Sequence, residues 1–225
     1  MENIQTRANL DERLNALIDD LVRLGSKVEA AIDQAMRAFS DCDVDLAQQI
    51  VVEDAAINAS RLEFEETCLN ILVTQQPVAV DLRAVLAAMS IVGELERMGD
   101  HAAGIARLAL RVEEYPKREI PSGLYQIETL CKDMLRRALK AYTERDASLA
   151  YAVADDDDHI DSQYRLLFHK VVVETREAED STDYLLSLLF AMHNLERIGD
   201  RATNIAERVI FMASGKLTEL NVGAA

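Results

Sequence analysis

Two short acidic motifs, placed 100 residues apart, are the part of this sequence best suited to chemistry. Each reads E-R-x-G-D, with Glu96 and Asp100 in the first motif and Glu196 and Asp200 in the second. Residues four positions apart on a helix share one face, with Cβ atoms about 5–6 Å apart. Two carboxylates held that close repel each other unless a cation neutralises them, at a cost of about 0.2–0.5 kcal/mol. The two motifs are therefore candidate cation sites.

A second set of oxygen ligands precedes each motif and repeats the same four-residue spacing. Asp54 and Asn58 precede the first motif, and Asp157 and Asp161 precede the second. If the helices that carry them pack against the motif helices, each site gains further ligands. An oxygen-only site favours hard cations such as Mg²⁺, Mn²⁺, Ca²⁺ or Fe³⁺. The candidate ions are Mg, Mn, Fe and Zn, although no cysteine–histidine set indicates structural zinc.

Ion pairing within each motif is the main alternative to a metal site. Arg97 and Asp100 are three residues apart, as are Arg197 and Asp200, and such pairs need no metal. The repetition of the motif, with matched acids on the preceding helix, favours the metal interpretation. Three nearby histidines could add a nitrogen ligand: His101, His159 and His193.

Sequence signatures of catalysis are absent from the chain. It has no nucleotide-binding glycine loop, no nucleophile elbow and no zinc-protease motif. It also lacks the E-x-x-H pair of ferritin-like di-iron bundles. We therefore expect a protein that is not an enzyme. Two alternatives stay open: a carboxylate–metal phosphohydrolase, and a purely structural helical module whose acid pairs form salt bridges.

The elements that must position these acids are long helices. The chain has 225 residues with only 8 Gly and 3 Pro, and its apolar residues recur every three or four positions. This spacing is typical of bundle helices. Asp81 is a plausible N-cap for the third helix. Helices are predicted over residues 10–39, 44–74, 79–112, 123–144, 146–177 and 182–214.

The two halves of the chain are related by duplication. Residues 94–107 and 194–207 are identical at eight of fourteen positions, which indicates a tandem repeat of three helices. We therefore predict an all-α fold with pseudo-two-fold symmetry. The predicted boundaries are a first three-helix bundle at 1–112, a linker at 113–122, a second bundle at 123–217 and a flexible tail at 218–225.

Charge and composition restrict the partners. The net charge is −16, which disfavours direct binding to nucleic acid or to anionic lipid. Three scattered cysteines fit a reducing compartment, and no apolar run approaches the ~20 residues of a membrane span. We expect a cytoplasmic protein with basic partners or bound cations.

Five segments stand out along the chain: QQPVAVDLR at 75–83, ELERMGDHA at 94–102, NLERIGDRATNIAE at 194–207 and, less closely, VVEDAAIN at 51–58 and DDDDHID at 155–161. Through these segments, nearly the whole chain resembles the PhoU family, the accessory proteins of phosphate-specific transport systems. One departure from that family is Asn58, where the second copy has Asp161, and it implies weaker cation binding at the first site. The Q-P turn of the first copy also has no counterpart in 177–183.

The resemblance implies both a fold and a role. PhoU-like proteins fold as two three-helix bundles, bind metal ions at their E-x-x-x-D motifs and form homodimers. The implied role is negative regulation of bacterial phosphate uptake and of the phosphate-starvation (Pho) response. In that role the protein is an adaptor in signal transduction, between the ATPase subunit of the phosphate ABC transporter and a phosphate sensor histidine kinase.

Overall fold

The computed structural model describes the backbone of residues 2–111, 119–177 and 182–220, and the side chains of 7–111, 119–173 and 183–220. Every regular element within these ranges is a helix, which confirms the predicted all-α class. The predicted helix over 146–177 is present but is interrupted at one residue. In chain order the elements are α1 (Glu2–Asp41), α2 (Val44–Gln75), α3 (Val80–Ala109), α4 (Ser122–Glu144), α5 (Ala147–Asp155), α6 (Asp157–Glu177) and α7 (Thr182–Ser214).

Local turn chemistry separates the three helices of the first half. Cys42 adopts a positive φ of 53°, and the Asp43 side chain then caps α2 by accepting from the Leu46 amide at 3.0 Å. At the other end of α2, Gln76 takes a left-handed conformation directly before Pro77. Such caps satisfy backbone groups that the helix ends leave unpaired.

The predicted N-cap of α3 is wrong. The N-cap residue is Ala79, which makes no capping hydrogen bond through its side chain, and Asp81 lies inside the first helical turn. The Asp81 carboxylate instead accepts from Arg7 Nη1 at 2.5 Å. This acid therefore joins α3 to the start of α1, because a partner 74 residues away in the chain holds it.

The second half repeats the three-helix arrangement with one interruption. Asp146 caps α5 by accepting from the amides of Ser148 and Leu149, at 2.8 and 3.1 Å. The helix then breaks at Asp156, whose side chain pairs with Arg137 of α4. Helix α6 restarts at once, so Asp157 lies in its first turn.

Helices α3 and α7 pack against each other in antiparallel fashion at the centre of the molecule. Glu94 of α3 accepts from Arg201 Nη1 at 3.3 Å and from Asn204 Nδ2 at 3.1 Å. The counterpart of Glu94 in the duplication is Asn194, whose Oδ1 lies 3.1 Å from His101 Nδ1. The same contact thus occurs twice with its partners exchanged, as pseudo-two-fold symmetry requires.

Helices α1 and α4 form a second junction between the halves. Lys132 Nζ donates to Asp33 Oδ1 of α1 at 2.5 Å and to Glu128 Oε1 of its own helix at 2.8 Å. Arg136 Nε donates to Glu29 Oε1 at 2.9 Å. Glu128 is buried, and burial raises the pKa of its carboxyl while Lys132 lowers it. The lysine therefore offsets part of the cost of burying this acid.

The predicted linker and tail fall partly outside the described residues, which exclude 112–118 and 221–225. Within the described part of the tail, the Leu220 amide donates to Glu207 Oε1 at 2.8 Å. Among the helices that the structure describes, none combines the length and the apolar character needed to cross a membrane.

Candidate metal centres

The first acidic cluster forms where α2 crosses α3 at the glycine of the first motif. A Cβ added at Gly99 would lie 3.0 Å from Ile57 Cδ1 and 3.5 Å from Asp54 Oδ1. Because glycine has no side chain, the two helices approach closely at this point without displacing Ile57. The glycine therefore brings Asp54 beside Glu96 and Asp100, which lie on the same face of α3, one turn apart. We name these three residues, with Asn58, cluster one.

The second cluster has the same construction on α6 and α7. A Cβ added at Gly199 would lie 2.5 Å from Ile160 Cδ1 and 3.6 Å from Asp157 Oδ1. Ile57 and Ile160, like Asp54 and Asp157, are related by the offset of the duplication. We name Asp157, Asp161, Glu196 and Asp200 cluster two. The structure thus brings the acids of the second and third helices together in both halves.

Two acids of cluster one have raised pKa values, because they are partly buried and lie close to another carboxylate. Burial raises the pKa of the Asp54 carboxyl, and the neighbouring Asp100 charge raises it further. Burial and then Asp100 also raise the pKa of Glu96. Asp54 Oδ1 is buried and accepts no hydrogen bond from the residues that the structure describes. A buried carboxylate oxygen without a donor is costly, so this atom is suited to a cation ligand.

Cluster two shows the same effect more strongly. Burial, followed by Asp200, raises the pKa of Glu196 to about 6, and Asp161 and Asp157 add to the shift. Glu196 Oε2 is buried and accepts no hydrogen bond among the described residues, although Arg197 Nε lies 3.3 Å away. Four carboxylates therefore act on one another here with incomplete compensation.

The ion pairs expected within the motifs form in one half only. Arg197 Nη1 lies 2.8 Å from Asp200 Oδ2, as the salt-bridge alternative predicts. In the first half Arg97 turns away and pairs with Glu94 at 2.6 Å. The nearby cation there is Arg61 of α2, whose Nε lies 3.4 Å from Glu96 Oε1.

Arg61 is the site residue that sequence reasoning missed. Arg61 lies four residues after Ile57, on the helix face of α2 that the apolar spacing predicts to be buried. An arginine on a face predicted to be buried is a signal that could have identified it. Of the three histidines, His193 lies nearest to a cluster, with Nδ1 3.6 Å from Glu196 Oε2. His101 contacts Asn194 and His159 pairs with Asp156 instead.

The donor set suits a hard cation, but the side chains are not gathered around a single point. No three Asp, Glu, His or Cys side chains in the described parts of the chain stand close enough together to hold a metal ion. Fit to a metal rests on the oxygen donors and on two buried, unsatisfied oxygens, Asp54 Oδ1 and Glu196 Oε2. Residues of cluster one and cluster two would hold such an ion once their carboxylates turn toward it.

Comparison with known proteins assigns the chain to a family. The PhoU domain matches twice, at residues 21–109 and 124–209. A phosphate-specific transport system accessory protein PhoU homolog from Clostridium acetobutylicum is 35% identical over 217 residues, covering 96% of this chain and 99% of that protein. A homolog of the same name from Pseudomonas aeruginosa is 34% identical, covering 92% of this chain and 88% of that protein.

Solved structures agree with this assignment. The phosphate transport system regulatory protein PhoU from Streptococcus pneumoniae has a TM-score of 0.87 at 32% identity, covering 93% of this chain and 99% of that chain. PhoU from Pseudomonas aeruginosa has a TM-score of 0.86 at 34% identity, covering 92% of this chain and 99% of that chain. With two matched domains, relatives that align over nearly their full length and the same fold, the chain belongs to the PhoU family.

Proposed function

We propose that this chain is an accessory protein of a phosphate-specific transport system and a negative regulator of the phosphate-starvation response. The relatives that carry this support are named as accessory or regulatory proteins and not as enzymes. Their similarity extends over 96% of this chain, so the proposed role concerns the whole molecule. It acts in the cytoplasm as a homodimeric adaptor and changes no covalent bond.

Two cation sites are the second part of the proposal. The observation that carries it is the buried, unsatisfied carboxylate oxygen in each half, Asp54 Oδ1 and Glu196 Oε2, placed beside further acids. Burial and then mutual repulsion raise the pKa values of these acids, and a divalent or ferric ion (Mg, Mn, Fe or Zn) would neutralise the repulsion. Cation binding would thereby stiffen the crossing of the second and third helices in each half.

The acidic charge of the protein supports the adaptor role. With a net charge of −16, the protein presents an acidic field that attracts basic surfaces and repels anionic ones. Such complementarity speeds encounter and selects partners more than it adds affinity. The partners we propose are the ATPase subunit of the phosphate ABC transporter and the phosphate sensor histidine kinase.

Deletion of the gene tests the regulatory role. A reporter of phosphate-starvation genes should be expressed constitutively in high phosphate in the deletion strain, and the wild-type gene should restore repression. Normal repression without the gene would refute the role. Purified protein should also retain the transporter ATPase subunit or the kinase in a pull-down, and retention of neither would refute the adaptor mechanism.

Charge-neutral variants test whether the cation sites matter for this role. Glu196→Gln with Asp200→Asn removes two charges from cluster two and should fail to restore full repression. Glu12→Gln with Asp19→Asn removes the same charge from exposed positions of α1 and should restore it. Full repression by both double variants, at equal protein levels, would separate the regulatory role from metal binding.

A further inference from the structure

The two clusters differ at one position that faces the acids from the second helix. Arg61 of α2 and Tyr164 of α6 are related by an offset of 103, as Asp54 and Asp157 are. Arg61 Nε lies 3.4 Å from Glu96 Oε1. Tyr164 takes the matching place in the duplication and packs, partly buried, against the core. A guanidinium in one half is thus replaced by a neutral phenol in the other.

This difference changes the charge that an incoming cation meets. Cluster one has three carboxylates, the neutral Asn58 and the Arg61 guanidinium, so its formal charge is −2. Cluster two has four carboxylates and the neutral Tyr164, so its formal charge is −4. Cluster two also has two arginines at its edge, Arg197 beside Asp200 and Arg165 3.8 Å from Asp161, but they are 42% and 73% exposed, so solvent screens them more than it screens Arg61 at 28%.

The two guanidinium groups also differ in how firmly they are held. Arg61 comes from the opposite helix, and its Nη1 donates to Glu65 Oε1 at 2.7 Å, which anchors it beside Glu96. Its side chain is 28% exposed, whereas that of Arg197 is 42% exposed. The Arg197–Asp200 contact is the shorter of the two, at 2.8 Å against 3.4 Å for Arg61–Glu96, but Arg197 is the more exposed and can turn into solvent when a cation arrives, whereas Glu65 holds Arg61 in place.

We infer that Arg61 is a built-in counter-cation of cluster one, so that cluster two binds a divalent cation more tightly and fills first. The inference rests on the metal binding proposed above and adds an order of filling to it. The geometry that supports it is the contact of Arg61 Nε with Glu96 Oε1 at 3.4 Å, for which cluster two has only the neutral Tyr164 at the matching position.

Binding of Mn²⁺ to the full-length protein, measured by isothermal titration calorimetry after chelator treatment, tests this inference. Wild-type protein should show a tight site and a weaker one. Asp200→Asn should remove the tight site, and Asp100→Asn the weak one. Arg61→Tyr should strengthen the weak site about 10- to 100-fold, the range for groups that contact metal ligands. Tyr164→Arg should weaken the tight site by a similar factor.

Matched controls separate local charge from net charge. Arg13→Tyr removes a cation from an exposed position of α1, where its partner is Asn9, and Leu166→Arg adds one at an exposed position of α6; neither should change Mn²⁺ affinity by more than about twofold. Circular dichroism checks that each variant is folded. Arg61→Gln, which introduces no ring, replaces Arg61→Tyr if the latter does not fold.

The possible outcomes distinguish the two proposals. Two equal Mn²⁺ sites in wild-type protein, unchanged by Arg61→Tyr and Arg61→Gln, would overturn the order of filling and leave metal binding intact. A tight site that Asp100→Asn removes would overturn it as well. Absence of any Mn²⁺ binding would refute the proposed metal sites themselves, and the order of filling with them.

Discussion

Replacement of Gly199 by alanine should show how closely α6 approaches α7. The added Cβ would lie 2.5 Å from Ile160 Cδ1, well inside the about 3.5–4.0 Å of an ordinary carbon–carbon contact. Ile160 is 1% exposed, so its side chain has no solvent to move into. Asp157 Oδ1 would lie 3.6 Å from the same methyl group, an ordinary contact distance, so the overlap is with Ile160 alone. The perturbation therefore acts on the packing that places the acids of cluster two.

The magnitude follows from a comparison with Gly93, which is also within a helix but has no atom within 4 Å of the added Cβ. Each substitution gains about 0.8–1.0 kcal/mol from helix propensity. Gly93→Ala should therefore raise the free energy of unfolding by about that amount. At Gly199 the overlap adds an overpacking cost of about 1–3 kcal/mol. Gly199→Ala should thus be less stable than Gly93→Ala by about 1–3 kcal/mol, because the propensity gain is common to both.

Urea unfolding followed by far-ultraviolet circular dichroism, on chelator-treated protein, measures both variants under identical conditions. Ile160→Val supplies a rescue, because valine lacks the Cδ1 atom that causes the overlap. Alone it should cost about 0.5–1.5 kcal/mol. Combined with Gly199→Ala it should cost less than the sum of the single changes. If Gly199→Ala stabilises the protein as much as Gly93→Ala does, the close approach of α6 to α7 is refuted.

Three further predictions concern charge and capping. Because the folded protein raises the pKa of Glu196 from its ordinary 4.5 to about 6, stability that is present below pH 4.5 should be lost as pH rises through 6. In metal-free protein this loss of stability should be about 1 kcal/mol, since partial exposure of Glu196 to solvent screens the shift. Urea unfolding at pH 4.5 and 7 measures the loss, and Glu196→Gln should abolish it. Lys132→Met leaves the buried Glu128 with one cation fewer and should lower the free energy of unfolding by about 3 kcal/mol. The double variant Lys132→Met with Glu128→Met should recover most of that loss. Equal losses in the single and double variants would contradict the pairing. Asp146→Ala removes the α5 cap and should cost about 1 kcal/mol, whereas Asp133→Ala on the exposed face of α4 should cost less.

The helical architecture was predictable because its signals are local. Apolar residues at intervals of three and four define the buried stripe of each helix, and Asp43, Pro77 and Asp146 mark helix ends by chemistry that acts within a few residues. The two errors of detail have distant causes. The break at Asp156 involves Arg137 of another helix, and Asp81 pairs with Arg7. Local periodicity carries no information about such partners.

The candidate site also combines features that the sequence predicts with features that depend on distant partners. The spacing within the E-R-x-G-D motifs places Glu96 beside Asp100, and the apolar spacing of α2 turns Asp54 toward the groove between α2 and α3. These acids could therefore be predicted from sequence. The rotamers of the arginines could not, since each depends on which acid lies across the groove. Arg97 turns to Glu94, while Arg61 crosses from α2 to Glu96.

The duplication keeps the residues that fix the shape of each cluster, together with three of its acids, and varies the charges beside them. Gly99 and Gly199 each receive an isoleucine and an aspartate from the second helix, so the two grooves have one geometry. Some differences between the halves fall on positions that face these grooves or steer their arginines, such as Arg61 against Tyr164 and Glu94 against Asn194. Because Asn194 is neutral and cannot hold Arg197 as Glu94 holds Arg97, that arginine turns onto Asp200.

Two sites of one shape and unequal charge have a consequence for regulation. If cluster two fills before cluster one, a rising cation concentration produces three forms of the protein: empty, half-filled and filled. A symmetric pair of sites would pass through the half-filled form without favouring either half. Charge placement at Arg61 and Tyr164 would therefore make the second half respond at cation concentrations that leave the first half unchanged. A chain with Arg61→Tyr should narrow this separation, with Asn58 accounting for what is left, so that partner binding and cation binding come closer to a single transition.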